Sequence, residues 1–270
     1  MAQWGKLNYA QQQCLGAVGK LMQQAAMLAP GARVGVAASG GVDSWLMLQV
    51  LLMRQRIVPF PFELMVLHVN PGFDAGNHAP LAQWCRDNGV AAHIELTDHG
   101  PRAHSEENLK ASACFYCARL RRKALFALCR TYGLTHLALA HTADDLATTF
   151  FMNLFETGKV HGLGMAEDFF GGRLKVIRPL LYLEKKIVIK AAKAFGLPVW
   201  SNPCPSAGAT RRSDWEAWLD EHYRRARHIR PNVLQGLQRW QLDRTAGKQV
   251  GHGSSSGGIP GPQKSTAFSE

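Results

Sequence analysis

At 270 residues, with 46% apolar side chains, the chain is long enough for one α/β domain of about 200 residues plus an appendage. No apolar run approaches the ~18 residues that span a bilayer, and residues 1–8 lack the apolar core of a secretion signal, so a cytoplasmic protein without a membrane segment is expected. The formal net charge of +11, from 31 Lys and Arg against 20 Asp and Glu, exceeds what a small-metabolite enzyme needs and points to a polyanionic partner, usually nucleic acid.

Six cysteines in such a chain argue against a disulfide framework and favour metal or catalytic use of some of them. Residues 8–28 carry Leu15, Val18, Leu21, Met22 and Ala25 at helical spacing, with Cys14 as a small core hydrophobe. Within this helix, Gly16 to Leu21 looks superficially like a Walker loop. Its spacing is too short, and Leu21 cannot serve Mg²⁺.

Pro30-Gly31 then leads into a short apolar run of β character, residues 34–38, the pattern of a strand buried on both faces. It breaks into Ser39-Gly40-Gly41-Val42-Asp43-Ser44, and a helical pattern runs on to Leu52. Strand, glycine turn and helix N-terminus together suit phosphate: the glycines admit close approach to backbone N–H groups, and the helix dipole favours negative charge. No lysine follows in the G-x-x-x-x-G-K-S/T spacing, so this is not a Walker loop.

Residues 63–69 predict a second buried strand, ending near His68 and Asn70-Pro71-Gly72. Ligands of open α/β sheets lie at carboxyl strand ends, which places His68 and Asn70 near a nucleotide, although a plain strand-ending turn would read alike. Residues 81–88 read as a helix with Cys85 in its core face, and 91–96 as a third strand. Residues 97–110 read as a mobile polar loop; its His99, His104, Glu106 and Glu107 match no familiar metal-ligand spacing.

Cys114-Phe115-Tyr116-Cys117-Ala118-Arg119-Leu120-Arg121-Arg122 opens a helix that buries Cys129. Thiols at i and i+3 converge, and a helix N-terminus is expected to lower their pKa. A redox pair, half a zinc site and part of a cluster site are all compatible with that spacing. A fourth strand, 135–140, runs into His141-Thr142-Ala143-Asp144-Asp145 and a helix to Phe155. The carboxylates there suit Mg²⁺ on ATP phosphates, or Asp144 simply caps the helix.

Residues 158–172 read as a flexible glycine-rich connection, 174–180 as a fifth strand and 183–195 as a helix. Cys204 follows between Pro203 and Pro205, on a rigid extended backbone that packing alone rarely requires. A basic helical segment, 211–230, carries Arg224, Arg225, Arg227 and Arg230, and a last helix covers 232–243. From Gly247 the Gly/Ser-rich tail predicts disorder. The expected architecture is α/β, a doubly wound parallel sheet of five strands with a small helical C-terminal extension. Its divisions fall at an N-terminal helix (1–30), a nucleotide-binding domain (31–200), a basic extension with the third cysteine (201–245) and a disordered tail (246–270).

The S-G-G-V-D-S stretch resembles the PP-loop of the ATP pyrophosphatases, the adenine nucleotide alpha hydrolase-like superfamily, whose members split ATP into AMP and pyrophosphate to activate a carbonyl oxygen. With C-x-x-C-x-R-L-R-R, His-x-x-Asp-Asp, I-R-P-L and a lone later cysteine following in order, the chain is similar to the tRNA 2-thiocytidine synthetase family. These are iron–sulfur sulfurtransferases acting on cytidine in the tRNA anticodon loop. The resemblance implies that Ser39, Gly40, Gly41, Val42 and Ser44 hold pyrophosphate, that Asp43 and Asp145 help place Mg²⁺, and that His68, His141 and Asp144 border the ATP. It further implies a [4Fe–4S] cluster on Cys114, Cys117 and Cys204, with one iron left open for sulfur.

Arg119, Arg121, Arg122, Arg224, Arg225 and Arg227 become candidate tRNA phosphate contacts. A sulfur donor such as a cysteine desulfurase and a homodimer belong to the same expectation. Three departures stand out: Val42 replaces the family's usual Lys, the region after Cys204 is short and differs from the family's, and Thr142 replaces the second His of the superfamily's His-His-x-Asp-Asp. Two rival readings remain, a PP-loop enzyme using persulfide or zinc and a non-catalytic basic RNA-binding protein.

Overall fold

The computed structural model describes residues 5–108 and 112–250, with side chains to 244. Strand β1 (Arg33–Ala37) lies between β2 (Glu63–Asn70) and β4 (His136–Ala138), and β3 (Ala92–Leu96), β6 (Leu174–Ile177) and β5 (Ala166–Phe169) complete a six-stranded sheet in the order β3-β2-β1-β4-β6-β5. All pairings are parallel except β5 with β6. The order reverses direction at β1, so the topological switch point of this sheet lies beside the end of β1.

The sixth strand corrects the expected five. β5 lies inside the segment read as a flexible connection, and it turns back into β6 through Phe170, Gly171 and Gly172, all at positive φ. Its four residues sit on the sheet edge in a half-exposed pattern, too short for a period-2 signal.

Helix α1 (Tyr9–Gln24) begins in a capping box between Asn8 and Gln11 and packs on α2 (Val42–Gln55) and α7 (Lys185–Ala194). Its Cys14 and Val18 are fully buried and share one core with Val34, Val36 and Trp45. Helix α3 (Ala79–Asp87) precedes β3, and a short α4 (His99–Ala103) occupies the segment read as a mobile loop. Helix α5 (Ala113–Thr131) starts at Ser112, whose Oγ accepts from Phe115 N. Helix α6 (Ala143–Thr157) carries α8 (Arg211–Arg225) and α9 (Ile229–Val250) on its flank. The helical extension therefore breaks at Ala226, and α9 runs on through the first residues of the tail expected to be disordered. Residues 251–270 of that tail lie outside the described residues.

Candidate active site

The site grows from the end of β1. Ser44 Oγ accepts from Ser39 N (3.1 Å) and donates to Gly41 O (2.8 Å), closing loop 39–44 on itself. Helix α2 starts at Val42 with no side-chain cap on its N-terminus, so its first N–H groups are left for an anion. Gly40 has φ +89°, and a Cβ there would come within 2.2 Å of the Trp200 ring, so only glycine fits.

Three carboxylates stand around this loop, each held by a cation from the C-terminal part of the chain. Lys185 Nζ lies on Asp43 Oδ2, Arg212 Nη2 on Asp145 Oδ1 (2.6 Å), and Arg230 Nη2 on Asp144 Oδ1. Asp144 Oδ2 also accepts from Lys185 N (2.7 Å), which fixes the first turn of α7 beside α6. Asp43 Oδ1 is buried without a hydrogen-bond partner. Burial pushes the Asp43 carboxyl above its ordinary pKa, with Lys185 pulling against it.

Thr142, fully buried, gives both its N–H (2.7 Å) and its hydroxyl (2.8 Å) to Asp145 Oδ2. Thr142, not Asp144, is the N-cap of α6. Burial alone would raise Asp145, but the Thr142 N–H, Arg212, the Thr142 hydroxyl and His141 together hold it below the usual Asp value. Burial, reinforced by Arg178, pulls His141 down to about 4, so its ring is neutral at neutral pH.

A cavity of about 300 Å³ opens over this face, lined by Ser39, Gly41, Asp43 and Ser44 of the loop, by His141, and by Arg121 and Arg122 of α5. Leu67 and Val69 of β2 form part of its apolar wall. His68, between them, projects to the other face, as strand alternation requires; it is fully buried with Nδ1 on Ala38 O (2.7 Å). Burial lowers its pKa as well. Asn70 is buried at the β2 end, where its side chain orders the turn through Gly72 N (2.9 Å) and Asn77 Oδ1 (3.2 Å).

Cys114 and Cys117 lie half-buried in the first turn of α5, and Cys204 is half-buried in the segment after α7. Their proximity is felt at Cys117, whose pKa is raised first by burial and then by the Cys204 and Cys114 thiols, against Arg121. In place of the lowering expected from the helix N-terminus, burial raises the Cys117 thiol. Cys14, Cys85 and Cys129 are buried elsewhere, with thiols pushed up to about 12, 11 and 12 by burial.

Among the described residues, no three His, Cys, Asp or Glu side chains are grouped tightly enough for a single metal ion. The closed zinc alternative loses a candidate ligand too, because His104 uses Nδ1 on Gly100 O (2.9 Å) and Nε2 on Ser206 Oγ (2.8 Å).

Of the candidate RNA contacts, Arg119 lies over the Tyr116 ring (5.2 Å), while Arg121 and Arg122 reach the cavity. Arg224 and Arg227 line a groove of about 420 Å³ with Lys186 and Arg230. Arg225 points elsewhere, paired with Glu221 (2.8 Å). Lys185 and Arg212 belong to no motif of the sequence, and Arg230 stands out there only as one of a basic run. Their one signal was the Glu-Lys-Lys and Arg-Arg pairs at predicted helix starts.

Residues 12–203 match the PP-loop domain family. Over 223 residues, 82% of this chain and 83% of the relative, the sequence is 32% identical to the tRNA-cytidine(32) 2-sulfurtransferase of Pelobacter propionicus. The Geobacter sulfurreducens protein of the same name is 33% identical over 192 residues, 71% of this chain and 75% of the relative. A U34-tRNA thiolase of Methanococcus maripaludis, solved with its [4Fe–4S] cluster, shares the fold at TM-score 0.69 and 21% identity, covering 87% of this chain and 85% of its own.

Proposed function

This chain belongs to the PP-loop domain family and, within it, to the tRNA-cytidine(32) 2-sulfurtransferases, and from that premise we propose that it is an ATP-dependent enzyme replacing the C2 oxygen of a tRNA cytidine with sulfur. The observation that carries this reading is the convergence of the phosphate loop, its Asp43 carboxylate and the α5 arginines Arg121 and Arg122 on one cavity, with the Cys114–Cys117 turn opening the same helix. Loop 39–44 holds the phosphates of ATP through its N–H groups. The base oxygen attacks the α-phosphorus, the bond to the β-phosphate oxygen breaks, and pyrophosphate leaves. Hydrosulfide then adds at C2, the C2–O bond breaks, and AMP departs with the oxygen. Activation is needed because an amide-like oxygen is a poor leaving group.

Arg121 is placed to stabilise the charge that develops in the cavity, since the neutral His141 supplies a hydrogen-bonding ring without charge. Asp43 and Asp145 are the residues that would hold Mg²⁺, which would offset charge on the ATP phosphates. The three half-buried free thiols, two of which act on Cys117, are the residues that would hold a cluster. Cys114, Cys117 and Cys204 would hold a [4Fe–4S] cluster, whose open iron would bind the hydrosulfide to be transferred. Arg224 and Arg227 of the groove beside α8 take tRNA phosphates, whereas Lys186 and Arg230 in it are paired with Glu184 and Asp144. A sulfur donor of the cysteine desulfurase kind, a homodimer and a cytoplasmic location complete the reading; among the described residues no helix is long and apolar enough to cross a membrane.

The test is anaerobic reconstitution with iron, sulfide, ATP and unmodified tRNA, followed by nucleoside mass spectrometry and AMP quantitation. Stoichiometric 2-thiocytidine and AMP are expected. AMP release without thiolated nucleoside would overturn the sulfurtransferase reading.

A further inference from the structure

The segment that carries Cys204 is tied to the phosphate loop at more than one point. Trp200 N donates to Gly40 O (3.0 Å), and the Trp200 ring packs against Gly40. Asn202 Nδ2 reaches Ser39 O at 3.5 Å, a long contact, while its Oδ1 accepts from Asn77 Nδ2. Asn77 Oδ1 in turn accepts from Asn70 Nδ2 (3.2 Å), so a relay of amides runs from the end of β2 through Asn77 and Asn202 to the loop. On the far side of Cys204, Ser206 Oγ pairs with His104 Nε2 (2.8 Å). Between these anchors Cys204 N donates to Asn202 O (2.8 Å) and Ala207 N to Cys204 O (3.0 Å).

The loop carbonyls that accept these bonds determine where the loop N–H groups point. A trans peptide unit is planar, so its C=O and the following N–H project in opposite directions. With the Ser39 and Gly40 carbonyls turned toward segment 200–207, the N–H groups of Gly40 and Gly41 turn away from it. Trp200 adds a second restraint, because its ring stands in contact with Trp45 of α2 (5.8 Å between centroids) and His68 of β2 (6.1 Å).

We propose that segment 200–207 is a strap that positions the phosphate loop and Cys204 as one unit, with Trp200 and Asn202 as its positioning residues. The proposal rests on the phosphate-loop reading above. Because coupling between two sites is reciprocal, an anion that orders the loop also orders the strap, and a loosened strap weakens the anion site. Loop occupancy and the placement of the third thiol are thereby linked without any contact between nucleotide and cysteine.

The experiment uses the full chain free of iron, with inorganic pyrophosphate as probe. Hydrogen exchange read by mass spectrometry should slow over 200–207 when pyrophosphate is added to the wild-type. Calorimetry should show Asn202→Ala binding pyrophosphate about threefold to tenfold more weakly, the effect of one hydrogen bond, at an unchanged melting temperature. Trp200→Ala, which removes the ring from Gly40 but keeps the backbone N–H, should weaken pyrophosphate binding in the same direction. If Asn202→Ala melts lower, Asn77→Ala, which removes a bond one step farther along the relay, carries the same comparison. Wild-type binding with unchanged exchange over 200–207, or wild-type affinity in the Asn202 and Asn77 variants, overturns the strap alone. Absence of any pyrophosphate binding by the wild-type overturns the phosphate-loop reading and the strap with it.

Discussion

Lys185 and Asp43 meet as an ion pair across 142 positions of sequence, joining the first turn of α7 to the first turn of α2 at the mouth of the phosphate loop. Asp43 is otherwise poorly served: its second oxygen is buried without a partner, and burial raises its pKa despite the lysine. Such a setting gives the carboxylate no favourable role in the fold, and we propose a ligand for it.

Asp43→Asn should therefore separate activity from stability. AMP formation is expected to fall about a hundredfold or more, the usual loss when one aligned electrostatic group is removed. Melting at pH 7 should be equal to or higher than that of the wild-type. The sign follows from the raised carboxyl: its contribution favours folding only at low pH, where it is protonated, and is lost as pH rises through its folded value. The gap between variant and wild-type should thus close as pH falls toward the ordinary Asp range. A variant that turns over normally would remove Asp43 from the phosphate site.

Lys185→Met takes away the main group that lowers Asp43. Its carboxyl then titrates higher still, and the acid limb of the pH profile for ATP cleavage should move upward. The same pH profile in the variant and the wild-type would show that this ion pair does not govern the reacting state.

His141 yields a stability prediction with a defined window. Its folded pKa of about 4 lies below the unfolded value of roughly 6.5, so it favours folding above that unfolded value and loses this as pH falls toward 4. His68, His99 and His136, all lowered chiefly by burial, act with the same sign. Denaturant titrations of His141→Gln should show a shallower loss of stability between pH 6.5 and 4. An unchanged slope would mean that the ring is not desolvated as described.

What the sequence made legible were local patterns: the apolar run, glycine turn and helix start at 34–52, and the i, i+3 thiols of α5. The strand-end rule put His68 at the correct end of β2 but not on a face, and alternation with Leu67 and Val69 turned it away from the cavity. Thr142, a departure from the superfamily pattern, proved to be the buried residue that holds Asp145. Lys185, Arg212 and Arg230 were out of reach for a different reason. Each acts on a carboxylate 142, 67 or 86 positions away, and no periodicity or motif records such a pairing.

The groove beside α8 narrows the RNA prediction. Arg224 and Arg227 line it, whereas Arg225 is neutralised by Glu221 on the same helix. Arg224→Glu with Arg227→Glu should weaken tRNA binding and reduce the slope of log affinity against log salt by about 0.7–0.9 per lost phosphate contact. Arg225→Glu should do less on both measures. Equal effects at all three positions in filter binding across a salt series would indicate a diffuse basic field rather than this groove.

The cysteines give the sharpest division. Cys114, Cys117 and Cys204 are free and half-buried, and Cys117 feels both of the others, although Cys204 arrives from beyond α7. Cys14, Cys85 and Cys129 are sealed in the core, with thiols that burial keeps protonated far above neutral pH. A thiolate is the form that ligates iron, and burial in apolar surroundings opposes it. Anaerobically purified wild-type protein should be brown, with broad absorbance near ~400 nm from thiolate-bound iron. Ala in place of Cys114, Cys117 or Cys204 should each abolish that absorbance, the bound iron and tRNA thiolation together. Ala in place of Cys14, Cys85 or Cys129 removes one sulfur from a packed core and should lower the melting temperature slightly while iron content stays at the wild-type level. Iron retained by Cys204→Ala would leave the α5 pair as the whole protein share of the site, and the three-thiolate arrangement would fall.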